Sequence, residues 1–283
     1  MLFWRNIIFC RHTQCTLRDL RMEVKGCRCE KRIKEAIQTT ERKNNMKKYE
    51  KYFTKEYMMG PNALRLLDEI VGDYPQAVSK GNVLDLGCGA ALSSLFLAKE
   101  TTADKVWALD LWVSPTDNRK RIRENELEHK VIPIYGDALA LPFAEEYFDA
   151  VISVDTYHYF GCADNVFGEK ILPFLKKGGY ALFVVPGLKE EPVDAMKELM
   201  EEWAGEETYM FRTKEWWAGH IAQSCENQVE VKVYESAIFD LVWQEWFDSG
   251  HEYGIRDEEF LGRGLKDILN FVMIAVKITA HAP

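Results

Sequence analysis

The run Val83-Leu84-Asp85-Leu86-Gly87-Cys88-Gly89 is the part of the chain whose residue types constrain chemistry most narrowly. Strand-forming residues run straight into two glycines one residue apart, and the stretch that follows, Ala91 to Lys99, reads as a helix. Glycine lets the backbone turn sharply and come close to a bound nucleotide. A dinucleotide site of the G-x-G-x-x-G kind needs a third glycine, but that place holds Leu92, which would obstruct a pyrophosphate at the helix end. Further on, the apolar run Val106-Trp107-Ala108-Leu109 ends in Asp110, where a carboxylate can accept hydrogen bonds from a ribose diol.

Two more segments follow in order. Gly136-Asp137-Ala138-Leu139-Ala140-Leu141-Pro142-Phe143 lies after a third apolar run, and Tyr147-Phe148-Asp149-Ala150-Val151-Ile152-Ser153 forms a fourth. Together with Leu175-Lys176-Lys177-Gly178-Gly179, this series resembles the ordered motifs of the class I S-adenosylmethionine-dependent methyltransferases, of the small-molecule type. The resemblance is specific over residues 82–185, loose over 46–81 and the last strands, and absent from the first 45 residues. It implies S-adenosyl-L-methionine as cofactor. Asp85 would serve the ammonium of its methionine moiety, while the backbone of Gly87, Cys88 and Gly89 borders the adenosine. Asp110 would take the ribose, Leu111 and Trp112 would flank the adenine, and Asp137 and Ala138 would read the adenine edge. Ser153 would stand beside the cofactor at the end of the fourth strand, and Asp149 would be structural. Many relatives have glycine where this chain has Ala91.

Methyl transfer from a sulfonium is an in-line displacement, so the protein has to align the acceptor and exclude water, and no metal is required. If the acceptor must lose a proton, a base near the methyl helps. The candidates lie in Asp155-Thr156-Tyr157-His158-Tyr159-Phe160, at the carboxyl edge of the fourth strand. His158 reads either as a general base or as a residue that shapes the pocket. Tyr157 and Tyr159 would orient the acceptor or roof the site. Asp155 would hold a cationic group or cap a helix.

These residues need a framework to hold them. Apolar runs at 82–86, 106–111, 131–135, 149–154 and 180–185 alternate with amphipathic stretches, the pattern of a parallel sheet with crossover helices. Ser114-Pro115 is a helix start, Gly178-Gly179 a helix end, and 229–234 and 271–279 read as closing strands. The expected fold is α/β: a Rossmann-like open sheet, mostly parallel with an antiparallel last strand, helices on both faces, and a helical insertion near the C-terminus. Residues 1–45 read as a basic leader, disordered or outside the native protein, with Met46 as the natural start. Residues 46–283 read as the methyltransferase domain, in which 186–269 contains a substrate-side insertion. The aromatic segment from Tyr49 to Pro61 would fold over the cofactor or pack in the core. The insertion's Trp216, Trp217, His220, Trp243, Trp246 and Phe247 would line the acceptor pocket or anchor a lid.

Charge and cysteine usage narrow the function class. Residues 1–48 carry 13 Lys+Arg against 5 Asp+Glu, and the remainder carries 23 against 40. So acidic a body repels phosphate backbones and anionic membranes, which favours a small-molecule methyl acceptor over nucleic acid or membrane. The seven cysteines form no regular framework and fit reduced thiols in a cytoplasmic protein, acting as a monomer or homodimer. Competing readings are a cofactor-binding module without catalysis, a protein or nucleic-acid methyltransferase, and an arsenite methyltransferase. The last would need more thiols than Cys88, Cys162 and Cys225 supply.

Overall fold

A computed structural model describes residues 57–225 and 227–280. The basic leader and residues 49–56 of the aromatic segment lie outside the described residues. Five apolar runs become the strands β1 (Asn82–Leu86), β2 (Lys105–Asp110), β3 (Val131–Tyr135), β4 (Phe148–Val154) and β5 (Leu175–Leu188). After them come the two-residue strand β6 (Arg212–Thr213), β7 (Val229–Glu235) and β8 (Leu269–Ile278). The sheet order is β3-β2-β1-β4-β5-β8-β7, with β6 beside β5. β1 to β5 pair in parallel, whereas β8 runs antiparallel between β5 and β7. The expected sheet, mostly parallel with an antiparallel last strand, is the one observed.

Burial follows position in the sheet. β8 is buried along nearly its whole length because both faces are covered, as its continuous apolar sequence requires. β7 is the edge, and its valines Val229, Val231 and Val233 pack inward while Glu230 and Lys232 alternate with them.

Eight helices matter here. α1 (Ala63–Asp73) starts where the Asn62 side chain accepts from the amides of Leu64 and Arg65. α2 (Leu92–Glu100) follows the glycine turn. α3 (Pro115–Glu124) opens on Ser114, whose side chain accepts from Thr116 N, with proline in its first turn as the sequence predicts. The single turn α4 (His158–Gly161) follows β4. Beyond β5 come α5 (Asp194–Ala204), α6 (Lys214–Gln223), α7 (Phe239–Asp248) and α8 (Glu252–Phe260).

Three local readings need correction. β2 ends at Asp110, so Leu111 stands outside the strand. α2 begins at Leu92, because Ala91 takes a left-handed conformation, φ 61°, to close the turn. Gly178-Gly179 does not end a helix before a strand. β5 already starts at Leu175, and the pair lies within it where the register against β4 shifts.

The aromatic residues of 186–269 are mostly anchors. Trp217 is fully buried in the main core cluster. The Asp257 carboxylate accepts from both Trp203 Nε1 (2.8 Å) and Trp246 Nε1 (2.9 Å), clasping α5, α7 and α8. Glu245 fastens α7 to α1, accepting from Arg65 Nε at 2.7 Å and Asn62 Nδ2 at 2.6 Å.

Candidate functional site

In the strand order, the chain moves outward one way from β1 through β2 to β3 and the other way through β4 to β5. The crevice outside the carboxyl ends of β1 and β4 is therefore the topological switch point, where open α/β sheets bind ligands. A cleft lies there. Its floor is the Gly87–Ala90 turn, one wall is Asp110 with Trp112 and Val113, and another is Val154, Asp155, Thr156 and Tyr159. Residues 57–61 with Ala63 and Leu64 close it from the side of α1.

The turn is locked from three directions. Gly87 N and Cys88 N donate to the Leu109 carbonyl at 2.9 and 3.1 Å. Thr156 Oγ1 donates to Gly87 O at 3.1 Å, and Asn118 Nδ2 donates to Gly89 O at 2.9 Å. Gly89 N donates to Asp110 Oδ2 at 2.7 Å, tying the turn to the tip of β2. The other oxygen, Oδ1, accepts from Trp112 N (2.8 Å) and Val113 N (2.7 Å). Three of the roughly four acceptor positions of the carboxylate are thus taken by backbone amides, leaving one for a hydroxyl unless an amide gives way.

Both glycines of the turn are required, for different reasons. At Gly87, φ is 75° and a Cβ would collide with the Thr156 side chain. At Gly89, φ is 52° and a Cβ would meet only Met59 Sδ, at 3.7 Å. The Gly89 backbone thus faces the cleft as an open cradle, the fit that a closely approaching nucleoside needs.

Other residues singled out from sequence fall into two groups. Cys88 and Asp155 line the cleft with the glycines and Asp110. Asp85, Leu111, Asp137, Ala138, Ser153, Tyr157 and His158 do not. Asp85 stands behind the turn, 1% exposed, its Oδ2 accepting from Ser93 Oγ at 2.6 Å and Ser94 Oγ at 2.5 Å. Leu111 is exposed, Asp137 is exposed and accepts from Leu139 N, and Ala138 packs against the core. Ser153 Oγ is fully buried with no partner among the described residues.

Tyr157 neither orients an acceptor nor roofs this cleft: it is a core residue, stacked on Phe183 with ring centroids 4.2 Å apart. His158 is buried too. Burial holds its ring down at about 3, so it is neutral at physiological pH and poorly matched to proton abstraction there. The single turn α4 explains this split. It sends 157 and 158 inward and leaves 155, 156 and 159 facing the cleft.

Asp155 is the most unusual side chain on the wall. Its backbone is left-handed, φ 55°, and among the described residues no donor reaches its carboxylate. Burial pushes its carboxyl up to about 7. Beyond it, Tyr159 meets Trp112 edge to face at 5.6 Å, an aromatic pair at the mouth.

Asn118, Ser93 and Ser94 escaped sequence reasoning, and none of them carried a local sequence signal; Asn118, a polar residue inside α3, is 1% exposed. Residues 57–61, part of the segment read as folding over the cofactor or packing in the core, line the cleft. None of the described residues from 186–269 lines the cleft.

Asp85 carries a stability consequence. Burial holds its carboxyl up at about 6 in the folded state, with the two serine hydroxyls pulling the other way. A group whose folded value exceeds its unfolded value stabilises below the unfolded value, and that contribution is lost as pH rises through the folded one. The unliganded protein should therefore lose stability between about pH 4 and 6, by about 1–3 kcal/mol from this group. In Asp85→Asn the amide oxygen can still accept from both serines. Urea unfolding should show this variant more stable than the wild type at pH 7.5, with a flatter profile from pH 4 to 6.5. A parallel profile would refute the assignment.

Residues 83–179 match the family model described as a methyltransferase domain. Two curated relatives match part of the chain. The chain is 30% identical over 124 residues to the tRNA (carboxymethyluridine(34)-5-O)-methyltransferase alkbh8 of Xenopus tropicalis, covering 43% of this chain and 18% of that protein. It is 32% identical over 104 residues to the fatty-acid O-methyltransferase of Mycolicibacterium smegmatis, covering 36% of this chain and 35% of that one. The chain thus spans well under half the length of each. Among solved structures, phosphoethanolamine N-methyltransferase 2 of Haemonchus contortus in complex with S-adenosyl-L-methionine superposes with a TM-score of 0.62 at 18% identity. That alignment covers 82% of this chain and 56% of that one, and shows a shared fold. Among the described residues, no helix is long and apolar enough to cross a membrane.

Proposed function

We propose that the cleft holds S-adenosylmethionine across the Gly87–Gly89 turn and Asp110, and that the protein transfers a methyl group to a small-molecule acceptor. The bond from Gly89 N to Asp110 Oδ2 at the switch point carries this reading. It joins an open glycine backbone to a carboxylate, the pair of features needed to hold a nucleoside.

When bound, the cofactor supplies a methyl carbon activated for in-line displacement. The chain supplies the rest. Asp110 presents its remaining acceptor position toward a ribose hydroxyl, and Asn118 and Thr156 keep the turn from shifting. Met58, Met59 and Pro61 cover the cleft with apolar atoms, excluding water from the reacting centre. Asp155 stands on the wall as an acceptor for a proton leaving the substrate, the role that the buried His158 is poorly placed to fill. The acidic body supports a small acceptor over a polynucleotide.

Calorimetric titration of the full chain with S-adenosylhomocysteine tests the cofactor half of this reading. One-to-one binding is expected, weakened when Met59, which covers the Gly89 cradle, is replaced by aspartate. No heat of binding at any concentration up to the millimolar range would overturn it.

A further inference from the structure

Resting on the methyltransferase reading above, we infer that the acceptor is a small amine, bound as its ammonium between Asp155 and the Trp112–Tyr159 ring pair and methylated on nitrogen.

Three observations converge on the same wall of the cleft. The first is the Asp155 carboxylate, which no donor reaches among the described residues although the backbone bends into a left-handed turn to place it there. A non-glycine residue held in that region costs about 1–3 kcal/mol, and such positions cluster at ligand-holding sites. At Gly60 an added Cβ would lie 3.3 Å from Asp155 Oδ2, so the lack of a side chain at residue 60 leaves that oxygen room on the side of the cleft. The second is the aromatic pair. Trp112 is 73% exposed and Tyr159 43% exposed, both beside the carboxylate, and large rings left this open at a cleft mouth offer their faces to a partner. The third is charge. Among the described residues the lining contains Asp110 and Asp155 and no lysine, arginine or histidine. Among the described lining residues a carboxylate, phosphate or diphosphate acceptor would meet no cation, whereas an ammonium finds a carboxylate and exposed aromatic rings.

The chemistry closes on the same residue. An aliphatic amine in water is protonated at neutral pH and has no free pair with which to attack. Bound against Asp155, it passes one proton from nitrogen to a carboxylate oxygen, which burial has made a better proton acceptor than an exposed one. The freed nitrogen pair forms the new N–C bond to the methyl carbon of the sulfonium donor. The C–S bond breaks with its electron pair staying on sulfur, which leaves as a neutral thioether. The proton on Asp155 returns to water at the cleft mouth. Nothing is oxidised or reduced.

The test compares three probes of one shape, benzylamine, benzyl alcohol and benzoate, added by calorimetry to the full chain saturated with S-adenosylhomocysteine. Wild type should bind benzylamine at least about tenfold more tightly than either other probe, the equivalent of about 1.4 kcal/mol. Asp155→Asn should erase that preference, and asparagine sits as readily as aspartate in a left-handed turn, so the fold is kept. Trp112→Ala should weaken benzylamine more than benzyl alcohol or benzoate, by about threefold to tenfold. With S-adenosylmethionine in place of the product, N-methylbenzylamine should form and the benzoate ester should not. Equal binding of the three probes, no binding of benzylamine, or a preference that survives Asp155→Asn would overturn the amine assignment while leaving the methyltransferase reading intact, provided S-adenosylhomocysteine binds. If S-adenosylhomocysteine itself fails to bind, both readings fall together. Should Asp155→Asn instead weaken S-adenosylhomocysteine and leave the probe preference unchanged, the carboxylate belongs to the cofactor and the amine assignment is wrong.

Discussion

Asp110→Ala should raise the dissociation constant for S-adenosylhomocysteine about a hundredfold. The carboxylate does two jobs in this cleft. It offers an acceptor to a ribose hydroxyl, and it fixes the Gly89, Trp112 and Val113 amides at 2.7–2.8 Å. A hydrogen bond to a charged group contributes about 1.5–3 kcal/mol, and each 1.4 kcal/mol is tenfold in affinity. Loss of the ribose contact alone predicts about tenfold or more, and loosening of the turn adds to it. Asp110→Asn should fall between, because its amide oxygen can still accept from Trp112 and Val113 while the NH2 cannot accept from Gly89. Calorimetry on variants whose far-ultraviolet circular dichroism matches wild type checks this. Unchanged affinity in Asp110→Ala would remove Asp110 from the site.

Gly87→Ala should damage both fold and cleft. The new methyl would lie on top of the Thr156 side chain, and the residue would have to keep φ at 75°. A left-handed alanine costs roughly 1–2 kcal/mol, and overpacking of this kind typically adds 1–3 kcal/mol. A loss of about 2–5 kcal/mol in urea unfolding is therefore expected, with S-adenosylhomocysteine binding abolished because the turn cannot keep its hydrogen bond to Thr156. The double variant Gly87→Ala/Thr156→Ser separates the two terms. Removing the obstructing methyl of Thr156 should restore part of the stability, and the backbone term should persist. A fully stable Gly87→Ala would mean that the turn differs from the one described.

What was legible from residues alone was local. The strand, glycine turn and helix around Gly87–Gly89, and the acidic end of β2, are encoded by neighbours a few positions apart, and they lie where their spacing predicts. Side-chain direction was less legible, since it depends on partners far along the chain. Asp85 reads as a cofactor ligand until Ser93 and Ser94 are seen to capture it from behind the turn. Tyr157 and His158 read as site residues until Tyr157 is seen packed against Phe183 and Trp217, and His158 buried beside the Tyr159 ring. The tryptophans of 186–269 resembled a pocket lining because an aromatic face looks the same whether it meets a ligand or another helix, and only the Asp257 clasp shows which. Asn118 holds the Gly89 carbonyl from α3, a contact that no local pattern around the turn could reveal, whereas residues 57–61, part of the segment read as folding over the cofactor or packing in the core, line the cleft.

The central claim is that this cleft performs methyl transfer, and turnover tests it most directly. The full chain is incubated with S-adenosylmethionine carrying an isotopic label in its methyl group, together with a mixture of small amines, alcohols, phenols and carboxylates. S-adenosylhomocysteine and labelled products are then followed by mass spectrometry. The account predicts S-adenosylhomocysteine formed in step with one or more labelled small molecules, and sharply reduced formation by Asp110→Ala at subsaturating S-adenosylmethionine. Tight cofactor binding with no S-adenosylhomocysteine produced from any acceptor, or undiminished turnover in Asp110→Ala, would contradict it.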